Sequence, residues 1–178
     1  MTASPTDRER VALAHAIHDR AHLTGNFTLR SGRVSTEYFD KYLFEADPVL
    51  LRRIAEALVP LVPPDTDALA GLELGGVPLA VMLSQVTGLP TLFVRKEAKT
   101  YGTCRLAEGG DIAGRRLTVV EDVVTSGGQV VMSCGELVAL GGIVTTALCV
   151  IDREGGGPEA LAEIGVELRP LYLMSELS

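Results

Sequence analysis

A chain of 178 residues, 47% hydrophobic and 22% charged, carries enough apolar material for one packed domain and reads as an ordinary soluble globular protein. Its net charge of −7 argues against a general nucleic-acid surface, which needs excess lysine and arginine on one face, but leaves room for a small cationic pocket. The three cysteines, Cys104, Cys134 and Cys149, are widely spaced without a CxxC pair, which speaks against a disulfide framework or a cysteine zinc site.

In chain order, Val11, Leu13, Ala14, Ile17 and Ala21 predict an amphipathic helix over about residues 5–23. His15, His18 and His22 then fall on one rough face of it. A metal site there is one reading; surface or interface histidines are the preferred one. Residues 25–42 alternate around Ser31-Gly32, as a hairpin leading into a second strand. The segment 46–62, ADPVLLRRIAEALVPLV, is a helix with Asp47 as cap and Pro48 in its first turn.

Strand and helix alternate from residue 67. Strands are expected over 67–74, 90–96, 115–122, 143–153 and 166–174, and helices over 77–88, 127–142 and 157–165. A long polar loop, 97–114, interrupts them. This order implies an α/β fold with a mostly parallel sheet flanked by helices. Ligands bind such sheets beyond the carboxyl ends of the strands, here after Leu72, Val94, Val120 and Ile151. Cys134 and Cys149 sit in apolar surroundings as core thiols; Cys104 lies in the polar loop and is expected to be exposed. No apolar run reaches membrane-spanning length and no signal peptide precedes the chain, so the cytoplasm is the expected compartment.

The stretch VVEDVVTSGGQV, 119–130, carries the most chemistry. Glu121 and Asp122 end an apolar run, and Thr125, Ser126, Gly127 and Gly128 open a helix. Glycines let backbone N–H groups approach an anion, the helix start favours negative charge, and the hydroxyls add donors. The acids lie a few residues away, suited to sugar hydroxyls while a phosphate occupies the turn. An acidic strand end followed by a capped helix has the same composition. The spacing matches neither a Walker A loop nor a dinucleotide-binding GxGxxG.

VVEDVVTSGG resembles the phosphoribosyl pyrophosphate motif of the type I phosphoribosyltransferases. Four further segments resemble orotate phosphoribosyltransferase: FTLRSGRVSTEYFD (27–40), GLELGGVPLA (71–80), RKEAKTYGT (95–103) and VIDREGG (150–156). Their order and spacing match, so the resemblance covers nearly the whole chain. It implies a single type I phosphoribosyltransferase domain, 1–178, with a small N-terminal hood over about 1–45. The implied reaction joins orotate to phosphoribosyl pyrophosphate, giving orotidine 5′-phosphate and pyrophosphate, with Mg2+ bridging substrate oxygens and no direct protein ligand.

The resemblance also assigns residues. Glu121 and Asp122 hold the ribose, and Val123, Val124, Thr125, Ser126, Gly127, Gly128 and Gln129 form the phosphate loop. Gly75 and Gly76 hold the pyrophosphate. Arg95, Lys96, Lys99 and Tyr101 close over it, Lys99 matching the catalytic lysine. Loop 95–110 is expected to complete the neighbouring site of a homodimer. Arg153 pairs with the orotate carboxylate, and Arg30, Tyr38, Phe39 and Thr125 complete the base site. For Tyr38 and Phe39, core packing is an equal reading.

Three positions depart from the family pattern. Gly75 stands where some relatives carry lysine, Arg30 where lysine is typical, and Tyr101 where many have histidine. A phenol still donates to a phosphate oxygen but does not titrate near neutrality. Rival readings are a phosphoribosyltransferase for another base, a paralogue for an orotate-like base, and a regulator that binds phosphoribosyl pyrophosphate without transfer. Arg153 and FTLRSG argue against a change of base, and Lys99 and the acidic charge against the regulator.

Overall fold

The computed structural model describes residues 7–28, 32–97 and 106–177. Helix α1 (Asp7–Ala21) turns Leu13, Ala14, Ile17 and Ala21 into the core. Val11, expected on that face, is exposed. The helix ends at Ala21, so His22 begins strand β1 (His22–Thr28), which pairs antiparallel with β2 (Val34–Phe39). Of the three histidines expected on one helix, His22 is therefore a strand residue. Its ring still stacks on His18, with centroids 4.8 Å apart.

Strand β2 runs straight into a short helix that the periodicity did not reveal, α2 (Lys41–Glu45), capped by Asp40, which accepts from the Tyr42 N–H at 3.1 Å. Helix α3 (Pro48–Leu58) starts as expected: Asp47 Oδ1 accepts from the N–H groups of Val49 and Leu50, satisfying two donors that a helix start leaves unpaired.

The main sheet comprises β3 (Ala68–Leu72), β4 (Thr91–Val94), β5 (Ala107–Glu108), β6 (Arg116–Val124), β7 (Ile143–Asp152) and β8 (Glu167–Leu173), in the order β5-β4-β3-β6-β7-β8. All neighbours are parallel except β4 and β5. The connecting helices are α4 (Gly76–Thr87), α5 (Gly128–Ala139) and α6 (Gly157–Ala162). Strand β5 was expected as loop, and two residues offer too short a pattern to read. Strand β6 does not stop at Glu121-Asp122 but carries both acids inside the ladder as far as Val124.

Alternate residues of the central strands feed two cores, as the period-two side-chain rule requires. Val120, Leu148 and Val150 pack with α1, α3 and α4 on one face. Val119, Ala147 and Cys149 pack with Cys134 and Leu137 of α5 on the other. The chain leaves β3 toward β4, then returns to the far side of β3 as β6. The crevice between the carboxyl ends of β3 and β6 is therefore the point where strand order reverses, the usual ligand position in such sheets.

Candidate active site

Two turns flank that crevice. After β3, residues 73–76 pass from strand to the start of α4, with the Glu73 N–H donating to the Val94 carbonyl at 2.8 Å. Glu73 Oε1 in turn accepts from the Lys96 backbone N–H at 2.6 Å. After β6, residues 125–127 lead into α5. Gly127 takes φ = 75°, a left-handed conformation that disfavours other residues there. Thr125 and Ser126 are exposed at the mouth of this turn.

Between the turns lies a buried cluster of three carboxyls and one ammonium. Asp122 has no exposed surface; Glu121 and Glu45 are 8% and 7% exposed. Lys41 Nζ stands 2.5 Å from Asp122 Oδ2. Lys41 and Glu45, four residues apart on α2, share a helix face and reach the acids together. Asp122 Oδ1 accepts from the Val123 N–H at 2.5 Å, and Glu121 Oε1 from the Asp122 N–H at 3.0 Å. Neither Lys41 nor Glu45 was singled out in the sequence, because α2 sits where a strand end was expected. The signal that would have found them is the Asp40 cap with charges at i and i+4.

Gly75 brings the first turn against this cluster. A Cβ there would land on Asp122 Oδ2 and lie 2.9 Å from Glu45 Oε1, so any side chain would force these carboxyls to shift. Glu45 Oε1 is buried beside Asp122 and accepts no hydrogen bond from the described residues, so a bond between the two carboxyls needs a proton on one of them.

The cluster divides its charge unequally. Burial, reinforced by its hydrogen bond to Asp122 and that carboxylate's charge, pushes Glu45 up to about 9. Burial and the same neighbour hold Glu121 well above the usual carboxylate range. Burial works against ionised Asp122 too, but hydrogen bonds from Glu121, Glu45 and Lys41 outweigh it and lower its pKa. Burial likewise opposes charge on Lys41, yet its bond to Asp122 raises it. Of the three carboxyls, Asp122 is the one biased toward its charged form, beside the Lys41 ammonium, while Glu45 and Glu121 are biased toward their protonated forms.

Of the other expected residues, Arg95, Lys96 and Arg153 follow strands at the same edge. The Arg153 N–H donates to the Val124 carbonyl at 2.8 Å, which sets Arg153, exposed, beside the 125–127 turn. A Cβ at Gly155 would lie 2.8 Å from Thr125 Cγ2, so this loop packs on that turn. Arg95 follows β4, its Nε buried without a hydrogen-bond partner among the described residues; the Lys96 side chain is exposed. Phe39, half-buried, packs against the core beside Phe44, whereas Tyr38 is exposed and stacks on Phe27 with centroids 5.4 Å apart. Arg30, Lys99, Tyr101 and Cys104 lie outside the described residues.

No protein-family model matches the chain. An orotate phosphoribosyltransferase of a Nocardioides species is 56% identical over 165 residues, covering 93% of this chain and 92% of that protein. The structure of Mycobacterium tuberculosis orotate phosphoribosyltransferase in complex with Fe(III) dicitrate superposes with a TM-score of 0.87 at 29% identity, over 96% of this chain and 99% of that one. The same enzyme with phosphoribosyl pyrophosphate gives a TM-score of 0.81 at 27% identity, over 95% and 98%.

Proposed function

The chain belongs to the orotate phosphoribosyltransferase family, and from that premise we propose how its own residues divide the reaction. The enzyme transfers the 5-phosphoribosyl group from phosphoribosyl pyrophosphate to orotate, giving orotidine 5′-phosphate and pyrophosphate in pyrimidine biosynthesis. The observation that carries the site assignment is Asp122: a fully buried carboxyl paired with the Lys41 ammonium at the sheet's switch point, between a glycine turn and a hydroxyl-glycine helix start.

In this reading the Thr125–Gly128 turn takes the 5′-phosphate on the backbone donors of α5, with the Thr125 and Ser126 hydroxyls and Gln129 beside them. Asp122 accepts from a ribose hydroxyl and Glu121 supplies the second contact. Bond breaking at the anomeric carbon runs ahead of bond making, so the ribose gains positive charge, and the Asp122 carboxylate favours it. Residues 73–76 receive the pyrophosphate through backbone donors. Arg95 and Lys96, with Lys99 and Tyr101 from the following loop, close over it and stabilise the departing charge more than the ground state. Arg153 pairs bidentately with the orotate carboxylate beside Thr125, while Arg30, Tyr38 and Phe39 border the base.

Among the described residues no group of three or more His, Cys, Asp or Glu is arranged to hold a metal ion. Magnesium, brought with the pyrophosphate rather than held by such a group, would supply charge neutralisation to the leaving group. We assign a single domain whose first 45 or so residues form a hood, a homodimer in which loop 95–110 serves the neighbouring site, and a cytoplasmic location. Among the described residues no helix is long and apolar enough to cross a membrane.

The test is the reaction itself. Purified protein with phosphoribosyl pyrophosphate and magnesium should consume orotate absorbance rapidly while uracil, hypoxanthine and adenine stay untouched. Use of another base would break the Arg153 assignment. Binding of phosphoribosyl pyrophosphate without transfer to any base would leave the ligand site and remove the catalytic roles.

A further inference from the structure

Lys41 lies outside the residues that the family resemblance assigns, yet it makes the ion pair with the acid of the ribose site. The turn that receives the pyrophosphate, 73–76, reads Glu-Leu-Gly-Gly and has no cation of its own. The two features meet at one atom. Asp122 Oδ2 takes the Lys41 ammonium at 2.5 Å, and a Cβ on Gly75 would fall on the same oxygen. Ammonium and pyrophosphate turn therefore both lie against a single carboxylate oxygen, and Gly75 adds no side chain there.

We infer that Lys41 is a substrate-binding residue for the pyrophosphate half of phosphoribosyl pyrophosphate: held on Asp122 in the empty site, it turns to the pyrophosphate oxygens once a ribose hydroxyl takes Asp122 Oδ2. The inference rests on the site reading above. An ammonium suits the exchange, since it carries three donors on a flexible stem and can pivot without moving α2. Its side chain is already 33% exposed, so the move meets no closed wall. Substrate supplies what the pair gives up. Asp122 exchanges the ammonium for a hydroxyl donor, and Lys41 exchanges one carboxylate for a more highly charged anion. Glu45 stays behind on the same helix, its carboxyl still beside Asp122.

Calorimetry on the full chain with magnesium pyrophosphate, ribose 5-phosphate and orotate tests this. Lys41→Met should weaken magnesium pyrophosphate on the order of tenfold and leave ribose 5-phosphate unchanged or tighter. Lys41→Arg should recover most of the pyrophosphate affinity. Unchanged pyrophosphate affinity in Lys41→Met, an equal loss for ribose 5-phosphate, or a loss confined to orotate would each overturn the inference. If melting shows that Lys41→Met does not fold, Lys41→Gln carries the same comparison. A wild-type protein that binds neither pyrophosphate nor phosphoribosyl pyrophosphate would bring down the site reading itself, whatever the variants do.

Discussion

The three buried carboxyls are biased toward different protonation states. Asp122 is the one biased toward charge, so on the proposed reading Asp122→Asn should lower kcat/KM for phosphoribosyl pyrophosphate on the order of a hundredfold while leaving Lys41 without its partner. Steady-state kinetics would check it, and an unchanged enzyme would make the acids structural. Glu45 gives a pH signature. A carboxyl whose folded pKa is raised to about 9 binds its proton more tightly when folded. Its contribution is full below the unfolded carboxyl range and is lost as pH rises toward about 9. Glu121 acts in the same direction, and Asp122, lowered, weakens the fold only as pH falls into the acid range. The Tm should therefore decline from pH 5 to 9, and less steeply in Glu45→Gln; equal slopes would put the proton on another group. Glu121, Asp122 and the Thr-Ser-Gly-Gly turn were legible in the sequence because they are contiguous. Lys41 and Glu45 were not, since folding alone brings α2 to β6.

At the scale of elements, the Gly75 turn is a matter of space. Its φ of −67° is open to any residue, so only the approach of Asp122 and Glu45 demands glycine. Gly75→Ala should cost about 1–3 kcal/mol, by the rule for overfilled interiors, and reduce pyrophosphate binding in step. Denaturant titration beside calorimetry would show whether both change. Asp47→Ala, far from the chemistry, should cost about 1 kcal/mol with kcat unaltered. The long elements were readable because β3, β6 and β7 are apolar runs and α3 has a cap, although it gives way at Leu58 to a 3-10 turn over Val59–Leu61 rather than running to residue 62. Strand β5 and helix α2 were missed because two or five residues cannot display a period. The end of β6 was misplaced for another reason. Acids normally signal a strand end, and here a lysine and shared protons allow them to stay in the ladder.

For the whole molecule, the decisive question is which chain supplies Lys99. Lys99→Ala should reduce turnover sharply with the fold intact, as Asp122→Asn should. If each site takes its loop from the partner, mixing the two variants and re-equilibrating the dimers should restore about a quarter of wild-type turnover, since one site in each hybrid is then intact. A mixture as inactive as its parts would assign loop and acids to one chain. The β4–β5 pairing bears on this geometry. The Arg95 N–H donates to the Leu106 carbonyl at 2.9 Å, so the segment between them leaves and rejoins the sheet at one point. Lys99 is four residues along from Arg95, and an extended chain spans at most about 14 Å over that distance. That tether works as a ruler. If Lys99 closes over the pyrophosphate as proposed, that leaving group lies within that radius of the β4 edge, extended by one lysine side chain, and a docking arrangement that holds it farther away is excluded.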